Sequence, residues 1–421
     1  MLRLMRALGA CMLASALVPT VAAHAATYYV ATTGSNSHPG TKEEEWRTVA
    51  YAVSKMVAGD TTYVKGGTYD EGLIRFGRTG TESAPIKLLN YPGQTPTIRC
   101  IDPKTQLMFA ENYKGMNKPL GWITIEGFEI TNCFYGFKYY NLHDSVIRRN
   151  WIHHNPMGAG IQGNGVRIVI DRNIINSNSK SRQNHGIYAN GTSYTVTNNV
   201  FYDSYNYGIQ LNAACWNYAC YDPARHAGPE FARSDYWVIA NNTFAYSYNR
   251  NAIVLYGSEM IGARIENNIF YENCVKCATS AANAIDFYAS KPTGVTIRNN
   301  LAYSSGSGGQ AFIVPGKAIE GVHYTQSDNI VNLSNPAFVN APATLPSSPN
   351  FHLTRRSPAI DKGLSLEQSR ATDTALPSTT TRIDFDGTPR PQGGAYDIGA
   401  YEYSAHGDTQ APRQVQDLQV H

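Results

Sequence analysis

The chain has 421 residues with 35 Lys plus Arg and 32 Asp plus Glu, so its formal net charge is only +3. This near balance excludes nucleic acid as the principal partner, and the length suffices for one large domain or two ordinary ones. Only 16% of the residues are charged, whereas Gly (36) and Tyr (28) are abundant. That composition is typical of a β-rich protein with tight turns and a polar, aromatic surface that suits carbohydrate or protein contacts.

Residues 1–25 have the features of a secretory signal peptide. Arg3 and Arg6 precede the apolar run GACMLASALVPTVAA, and Ala23-His24-Ala25 fits an A-x-A cleavage site. No later run approaches the roughly 18 apolar residues of a membrane span. We therefore expect an exported protein without a transmembrane anchor, located in the periplasm, at the cell surface or outside the cell.

The next predicted element is a helix over residues 48–56, TVAYAVSKM, in which the apolar residues recur at helical spacing. The coils that follow it form a repeat whose ends need covering. We expect this helix to cover the N-terminal end of that repeat.

The strongest pattern is a recurring segment of alternating residues followed by Asn and two mostly apolar residues, as in YTVTNNVF (194–201). Strands that recur about every 22–30 residues, without helical patterns between them, predict a solenoid in which each coil adds one strand to each of several parallel sheets. Stacked asparagines at one tight turn tolerate left-handed backbone geometry and hydrogen-bond to one another, so we assign them a structural role. The aligned asparagines are Asn150, Asn173, Asn199, Asn242, Asn268, Asn300 and Asn329.

A second family of five-residue segments lies between these repeats, with HGIYA (185–189) and YGIQL (207–211) as examples. Alternation predicts that the third position points into the core and that the second and fourth point outward. The third positions are Ile161, Ile187, Ile209, Ile253, Ile285 and Phe312. The second positions, which we call the small-residue row, are Gly136, Gly160, Gly186, Gly208, Ala252 and Ala284. The fourth positions, which we call the polar row, are Lys138, Gln162, Tyr188, Gln210, Val254, Asp286 and Ile313.

Two outward rows, one of small residues and one of polar residues, predict a shallow groove that an extended polysaccharide can occupy. A long loop (212–235), about 17 residues more than neighbouring coils need, follows Leu211 and carries Trp216 and Arg225. We expect Trp216 to stack on a sugar ring and Arg225 to pair with a carboxylate. Lys180 and Arg182 are predicted to project beside the same groove.

The ends of the chain resemble a known family. TYYVATTGSNSHPGT, then Trp46, AGDTTYVKGGTY (58–69) and SAPIKLLNYPG (83–93) resemble the first segment of secreted right-handed parallel β-helix proteins of the pectin-lyase-like superfamily, including family-9-type polysaccharide lyases. SPAIDKG (357–363) and DFDGTPRPQGGAYDIGAYEY (384–403) resemble their closing segment. The resemblance, over about residues 27–403, implies an all-β right-handed parallel β-helix with an N-terminal capping helix and a C-terminal cap.

The predicted organisation has four parts: a signal peptide (1–25), a β-helix domain with its N-terminal cap (26–340), a C-terminal capping segment (341–405) and a final stretch (406–421). That final stretch, DTQAPRQVQDLQVH with its preceding residues, is typical of a linker and the start of a truncated fibronectin type III-like module. We therefore expect the natural protein to continue past residue 421.

Export places the cysteines in an oxidising compartment. Six remain after Cys11 is removed with the signal peptide, and an even number favours disulfides over a metal site. Proximity in the sequence predicts the pairs Cys100–Cys133, Cys215–Cys220 and Cys274–Cys277.

The leading hypothesis is a polysaccharide lyase that cleaves a uronic-acid-containing polysaccharide by β-elimination, acting as a monomer. The reaction needs a base near the sugar C5, positive charge or a metal ion at the carboxylate, and a proton for the leaving oxygen. We assign the catalytic roles to Lys138, His185 and Tyr188. The predicted substrate-binding residues are Gln162, Lys180, Arg182, Gln210, Trp216, Arg225 and Asp286.

Only the resemblance to family-9-type lyases suggests calcium as a cofactor. Family-9-type lyases bind it with an aspartate cluster beside a catalytic lysine, but the corresponding coil here, YDSYNYGIQL (202–211), has only Asp203. The motifs of pectate lyases, polygalacturonases and alginate epimerases are absent too. Asp384 and Asp386 have the spacing of a calcium loop without its other ligands, which predicts a turn.

Two alternatives stay open. An inverting glycoside hydrolase would need two carboxylates about 6.5–9.5 Å apart, and Asp203 with Asp286 or Glu230 are the candidates. A non-catalytic surface protein would use the same groove to bind glycan without cleaving it.

Overall fold

The computed structural model describes residues 25–104, 108–110, 119–178, 185–212, 227–257, 260–277, 284–288, 291–305, 312–366 and 382–405. The signal peptide, the final stretch 406–421 and the pair Cys215–Cys220 lie outside these ranges. Cys100–Cys133 and Cys274–Cys277 are disulfide-bonded, as predicted.

The predicted helix spans Val49–Lys55. Thr48 begins it by accepting a hydrogen bond from the Tyr51 N–H, and the buried Glu71 carboxylate accepts from the Val49 and Ala50 N–H groups. Its buried residues belong to the main core, and the helix contacts strands Thr27–Val30 and Gly67–Glu71. Its role as a cap stays a prediction. Within the described ranges, no helix is long and apolar enough to cross a membrane.

Most of the remaining strands form three parallel sheets, which we number 1 to 3. Sheets 1 and 2 are continuous where the long strands Phe137–Arg148 and Ile161–Asp171 run from one into the other, and the first coils have no described strand in sheet 1. Sheet 1 carries the second segment family and consists of Met108–Ala110, Phe137–Arg148, Ile161–Asp171, Ile187–Thr192, Ile209–Asn212, Ile253–Tyr256, Ile285–Asp286 and Ile313–Val314.

Sheet 2 carries the strand before each aligned asparagine. It consists of Thr27–Val30, Thr61–Val64, Ile86–Asn90, Ile123–Glu126, the second halves of Phe137–Arg148 and Ile161–Asp171, Thr195–Thr197, Val238–Ala240, Arg264–Glu266, Val295–Arg298 and Tyr324–Ser327. Leu120–Gly121 pairs with the middle of Phe137–Arg148.

Sheet 3 follows each asparagine corner. It consists of Gly67–Glu71, Pro96–Cys100, Glu129–Thr131, Trp151–His153, Ile174–Asn176, Val200–Tyr202, Thr243–Ala245, Ile269–Tyr271, Leu301–Tyr303 and Ile330–Val331. Outside the three sheets are a short 3-10 helix, Pro229–Phe231, and an antiparallel pair, Phe338–Asn340 with Asn350–Leu353.

Two consecutive residues have different roles at the corner between sheets 2 and 3. The first residue of each Asn-Asn pair has a left-handed backbone, with φ of 55° at Asn198 and 54° at Asn241. The second residue forms a continuous ladder through the core. Asn199 accepts from the Asn173 N–H and Nδ2, and it donates its own N–H and Nδ2 to Asn242 Oδ1 at 2.9 and 3.0 Å. The predicted asparagine stack is confirmed from Asn150 to Asn329.

The C-terminal segment lies along the flank of the solenoid. Phe351, Ile398 and Tyr401 pack with outward residues of sheet 3, such as Ile174 and Val200, in a second apolar cluster. This cluster covers the outer face of sheet 3 and leaves the outer face of sheet 1 as the exposed flank that carries polar residues. The boundaries predicted for the capping segment stay predictions.

Candidate functional site

The polar row of sheet 1 is in register over six coils. Backbone pairing aligns Lys138, Gln162 and Tyr188, and the alignment continues to Gln210, Val254 and Asp286. Adjacent members are therefore about 4.8 Å apart. The prediction that Ile313 continues this row in the last coil is wrong, because Ile313 pairs with Ile285 and Val314 pairs with Asp286. The reason is that the carbonyl of Phe312 bonds to the Ile285 N–H, so Phe312 occupies the position of Ala284 in the preceding coil.

The small-residue row points inward, which contradicts the prediction. A Cβ on Gly186 would lie 2.5 Å from the Gly208 carbonyl oxygen and 3.0 Å from the buried Phe201 ring. Ala252 and Ala284 are fully buried. The chain is still turning from sheet 3 into sheet 1 at these positions, so the two-residue alternation begins only at the following isoleucine. The glycines make room for the core and do not line a groove.

A different row, made up of the first residues of the repeated segments, such as His185 and Tyr207, lies beside the polar row. The first letters of the repeated segments are in register, because the Gly160 N–H donates to the His185 carbonyl and the Gly186 N–H donates to the Tyr207 carbonyl. Together the two rows line a cleft of about 510 Å³. Its lining residues are Phe134, Tyr135, Met157, Ala159, Gln162, His185, Tyr188, Asn206, Tyr207, Gln210, Arg250, Tyr256 and Tyr288.

Lys138 lies at the N-terminal end of the polar row, adjacent to this cleft. Its side chain is buried, and Nζ lies 4.9 Å from the ring centre of Tyr135 and 4.7 Å from that of Tyr140. Among the described residues, no carboxylate forms an ion pair with it. Burial therefore lowers the pKa of Lys138 to about 8. Near neutral pH the amine thus gives up its proton far more readily than a solvated lysine.

Tyr188 extends the same polar cluster. Its pKa is raised by burial and by Tyr256, so the hydroxyl keeps its proton at neutral pH. The pKa of Tyr135 is raised by burial, then by the hydroxyls of Tyr140 and Tyr188. Tyr135 therefore lies near both Lys138 and Tyr188, so the amine and these hydroxyls form one cluster.

His185 is 5% exposed and lines the cleft. Its ring stacks on Tyr188 at 5.5 Å and lies 5.4 Å from the ring of Tyr207. Burial, with a smaller contribution from the Arg250 charge, lowers the pKa of His185 to about 3. The imidazole is therefore uncharged at neutral pH.

Gln162, Gln210 and Asp286 occupy their predicted places in the polar row. The Gln162 Oε1 atom is buried without a hydrogen-bond partner, and the Gln210 side chain donates to Asn212 Oδ1 at 3.4 Å. The Asp286 carboxylate accepts from the Tyr207 hydroxyl at 3.4 Å, and burial raises the pKa of that carboxyl. These placements agree with the predicted positions, and the binding roles stay predictions.

Arg250 is the principal residue that the sequence reading missed. It is exposed, lines the cleft, and its charge acts on His185, Tyr207 and Asp286. It immediately precedes Asn251, the first residue of the segment NAIVL (251–255), so its place beside the first residues of these segments was the available signal. The missed residues Tyr135 and Tyr207 are themselves first residues of such segments.

Several predicted residues lie outside the described chain: Lys180, Arg182, Trp216 and Arg225. The described end of the long loop does lie against sheet 1. The Ala227 N–H donates to Asn141 Oδ1 at 3.2 Å, and Asn190 Nδ2 donates to the Phe231 carbonyl at 2.8 Å. The loop therefore returns along the same side of the solenoid as the cleft.

Hydrogen bonds within the protein hold Asp203 and Asp384, two of the carboxylates considered for a hydrolase or for calcium. Asp203 Oδ2 accepts from the Ser177 hydroxyl at 2.7 Å, and Glu230 is exposed. Asp384 accepts from the N–H groups of Thr388 and Glu402, which makes its segment a turn. Among the described residues, no group of three His, Cys, Asp or Glu side chains has the arrangement of a metal site.

The fold and the cleft define a right-handed parallel β-helix protein, and the predicted resemblance to family-9-type lyases is confirmed. Residues 28–184 match a family model described as the Pel9A-like right-handed β-helix region, and residues 121–307 match a model described as periplasmic copper-binding protein (NosD). Among solved structures, pectate lyase Pel9A has a TM-score of 0.50 at 16% identity, with 90% of this chain and 96% of that chain covered. A rhamnogalacturonan lyase has a TM-score of 0.51 at 14% identity, covering 78% of this chain and 96% of that one.

Two curated relatives match over shorter stretches. Pectate lyase PEL9 of Emericella nidulans is 38% identical over 85 residues, which is 20% of either protein. The uncharacterized protein YwoF of Bacillus subtilis (strain 168) is 40% identical over 70 residues, or 17% of this chain and 15% of that protein. The chain thus matches one fifth or less of the length of these relatives. At these identities the solved structures establish the fold alone.

Proposed function

We propose that this protein is a polysaccharide lyase that cleaves a uronic-acid-containing polysaccharide by β-elimination in the cleft along sheet 1. The observation that carries the proposal is Lys138, a buried amine with a pKa of about 8 beside an open, tyrosine-rich cleft. An amine that titrates near the working pH is suited to act as a general base. The names of the similar proteins, pectate lyase and rhamnogalacturonan lyase, support acidic plant-type polysaccharides as the class to test.

In the proposed reaction, neutral Lys138 removes the proton from C5 of the uronate. The electron pair forms the C4–C5 double bond, and the bond between C4 and the glycosidic oxygen breaks. The Tyr188 hydroxyl gives its proton to that oxygen, which leaves as an alcohol. Arg250 lies in the cleft as the positive charge that favours the carboxylate while negative charge develops next to it.

The signal peptide predicted from residues 1–25 and the periplasmic protein named by one family model support action outside the cytoplasm. We place the protein in the periplasm or outside the cell, acting as a monomer on polysaccharide.

The test is incubation of the purified protein with a panel of acidic polysaccharides while the ultraviolet absorbance of an unsaturated uronyl end is recorded. We expect Lys138→Ala to lower kcat by about 100- to 10,000-fold, because the base is removed. Tyr188→Phe should also lower kcat, because it keeps the ring but removes the hydroxyl that donates a proton to the leaving oxygen. Lys87→Ala, at an exposed lysine of sheet 2, is the matched control and should leave kcat unchanged.

Three outcomes would contradict the proposal. New reducing ends without the absorbance indicate a hydrolase. Binding without cleavage indicates a glycan-binding protein. Full activity of both Lys138→Ala and Tyr188→Phe shows that the catalytic groups lie elsewhere.

A further inference from the structure

The described lining of the cleft contains one cationic side chain, Arg250, and no carboxylate. The Asp286 carboxylate lies next to this lining, where it accepts a hydrogen bond from the Tyr207 hydroxyl. Arg250 is exposed, and it forms no salt bridge with any described residue. Its charge is nevertheless close enough to act on His185, Tyr207 and Asp286. A guanidinium in this setting is available for a carboxylate ligand, which it can hold through two parallel hydrogen bonds.

The same cleft contains buried polar atoms without partners. His185 is more than nine-tenths buried, lies in the wall of the cleft, and its Nδ1 has no hydrogen-bond partner. Gln162 Oε1, in the neighbouring coil, is also buried and unpaired. Buried polar atoms in native proteins are almost always hydrogen-bonded, so two unpaired atoms together in one cleft point to a polar ligand.

The described residues around this cleft do not fit a calcium site. Calcium takes six to eight oxygen ligands, mostly from carboxylates. Asp203 is held by the Ser177 hydroxyl, and Asp286 is held by the Tyr207 hydroxyl near the Arg250 charge. An arginine at this position repels a divalent cation and attracts the carboxylate that the cation would otherwise bind.

We propose that the cleft binds the carboxylate of an acidic sugar directly on the Arg250 guanidinium, with His185 and Gln162 as hydrogen-bond partners for the ligand and without a bridging divalent cation. The inference rests on the proposed function for the identity of the site and deepens it by naming the group that recognises the substrate. It also separates this chain from the calcium-dependent pattern that its resemblance implies.

The experiment is isothermal titration of the full chain with an oligogalacturonate, once in EDTA and once in calcium. We expect the same Kd in both buffers. Arg250→Gln should weaken binding by about 10- to 100-fold, as expected for the loss of hydrogen bonds to a charged group. Arg250→Lys should retain part of the affinity. Arg47→Gln, at an exposed arginine far along the chain from the cleft, is the matched control and should keep the wild-type Kd.

A second ligand tests the charge itself. The same oligomer with its carboxyl groups reduced to alcohols should bind the wild-type protein as weakly as the acidic oligomer binds Arg250→Gln. The inference is overturned if EDTA abolishes binding and calcium restores it, if Arg250→Gln binds normally, or if the acidic oligomer does not bind at all.

These results also separate the two proposals. Calcium-dependent formation of unsaturated product would support the proposed lyase activity and contradict the proposed direct recognition of the carboxylate by Arg250. Binding in EDTA that depends on Arg250, with no product from any polysaccharide, would keep the recognition and reject the lyase.

Discussion

At the residue scale, burial changes what Lys138 and His185 can do. Both carry ordinary titratable groups, but the rings of Tyr135 and Tyr140 exclude water from Lys138, and the rings of Tyr188 and Tyr207 exclude it from His185. Without water the charged form of each group is disfavoured, so both pKa values fall. The amine of Lys138 therefore titrates near pH 8, and the imidazole of His185 is uncharged at neutral pH.

The rate of the proposed reaction should depend on pH through Lys138. The base must be neutral, and its pKa is about 8. We therefore expect kcat/KM to rise about tenfold per pH unit below that value and to level off above it. The amine faces the rings of Tyr135 and Tyr140, and the raised pKa of Tyr135 keeps that phenol neutral through this range.

The measurement is a pH profile of kcat/KM on the substrate found in the polysaccharide panel. Lys138→Arg is the informative variant, because a guanidinium stays protonated and cannot accept the proton. It should lose activity at every pH. A rate that falls as pH rises from 6 to 8 would contradict a lysine base.

His185 should make the protein less stable in acid. Its folded pKa is about 3, whereas an unfolded histidine titrates near 6.5. Between these values the unfolded chain binds a proton that the folded chain does not. The unfolding free energy is therefore unaffected by His185 above about pH 6.5, and it falls by about 1.4 kcal/mol per pH unit as the pH drops below that value.

Urea unfolding between pH 7 and pH 4 measures this effect. His185→Gln should flatten the loss of unfolding free energy with falling pH, whatever it does to stability at pH 7. His38→Gln, at an exposed histidine, is the control and should retain the wild-type slope. Equal slopes for all three proteins would show that His185 is not the group responsible.

At the element scale, each coil depends on two consecutive residues that have different structural roles at the corner between sheets 2 and 3. Asn198 adopts a left-handed backbone conformation, while Asn199 forms hydrogen bonds with buried backbone and side-chain groups of the neighbouring coils. A side chain that donates and accepts at once is needed at the second position, since every coil has to bond to the next. This explains why the second asparagine recurs more strictly than the first, which is Arg149 or Arg172 in the early coils.

Removing a central rung of this ladder should cost more than removing its end. Asn199→Ala removes the acceptor of the buried Asn173 N–H and the side-chain donor to the carbonyls of Ile170 and Thr197, so we expect a loss of about 2–4 kcal/mol in unfolding free energy. Asn329, the last rung, is only partly buried, and Asn300 is the one described asparagine that bonds to it.

Asn329→Ala is therefore the matched variant, and its loss should be clearly smaller. Chemical denaturation of both variants tests the ladder. An equal loss at the two positions would indicate that the asparagines act independently and not as a cooperative stack.

At the scale of the whole molecule, the C-terminal segment decides which face is open. Its apolar side chains cover the outer face of sheet 3, and Arg390 holds it in place. The Arg390 guanidinium donates to Glu402 at 2.7 Å, to the Gly399 carbonyl at 2.9 Å and to Asn198 at a coil corner at 3.4 Å. The segment thus joins the corner of one coil to the flank of several others.

Arg390→Ala should release this segment. Arg390 and Glu402 are both fully buried, so removing the arginine leaves an unpaired carboxylate and should cost about 3–5 kcal/mol. Limited proteolysis should cut the variant within residues 341–405 at temperatures where the wild type resists. Arg99→Ala, in the exposed pair with Asp70, should leave the melting temperature unchanged. Wild-type protease resistance in Arg390→Ala would show that the apolar contacts alone hold the segment.

The amino-acid sequence by itself determined the solenoid, because its signals are local and repeated. The spacing of Asn150 to Asn329 predicts the coils, and alternation within HGIYA and YGIQL places Ile187 and Ile209 in the core and Tyr188 and Gln210 outside. The polar row from Lys138 to Asp286 followed from the same rule and is observed in register.

Only the tertiary structure decided the site. Alternation fails where the chain bends, so it could not show that Gly186 points inward or that Phe312 takes the place of Ala284. It also could not show that rings from different coils meet around Lys138 and His185, or that Arg250 enters the same cleft, because these contacts join residues far apart in the chain. Burial and charge depend on such neighbours, and they set the chemistry of this cleft.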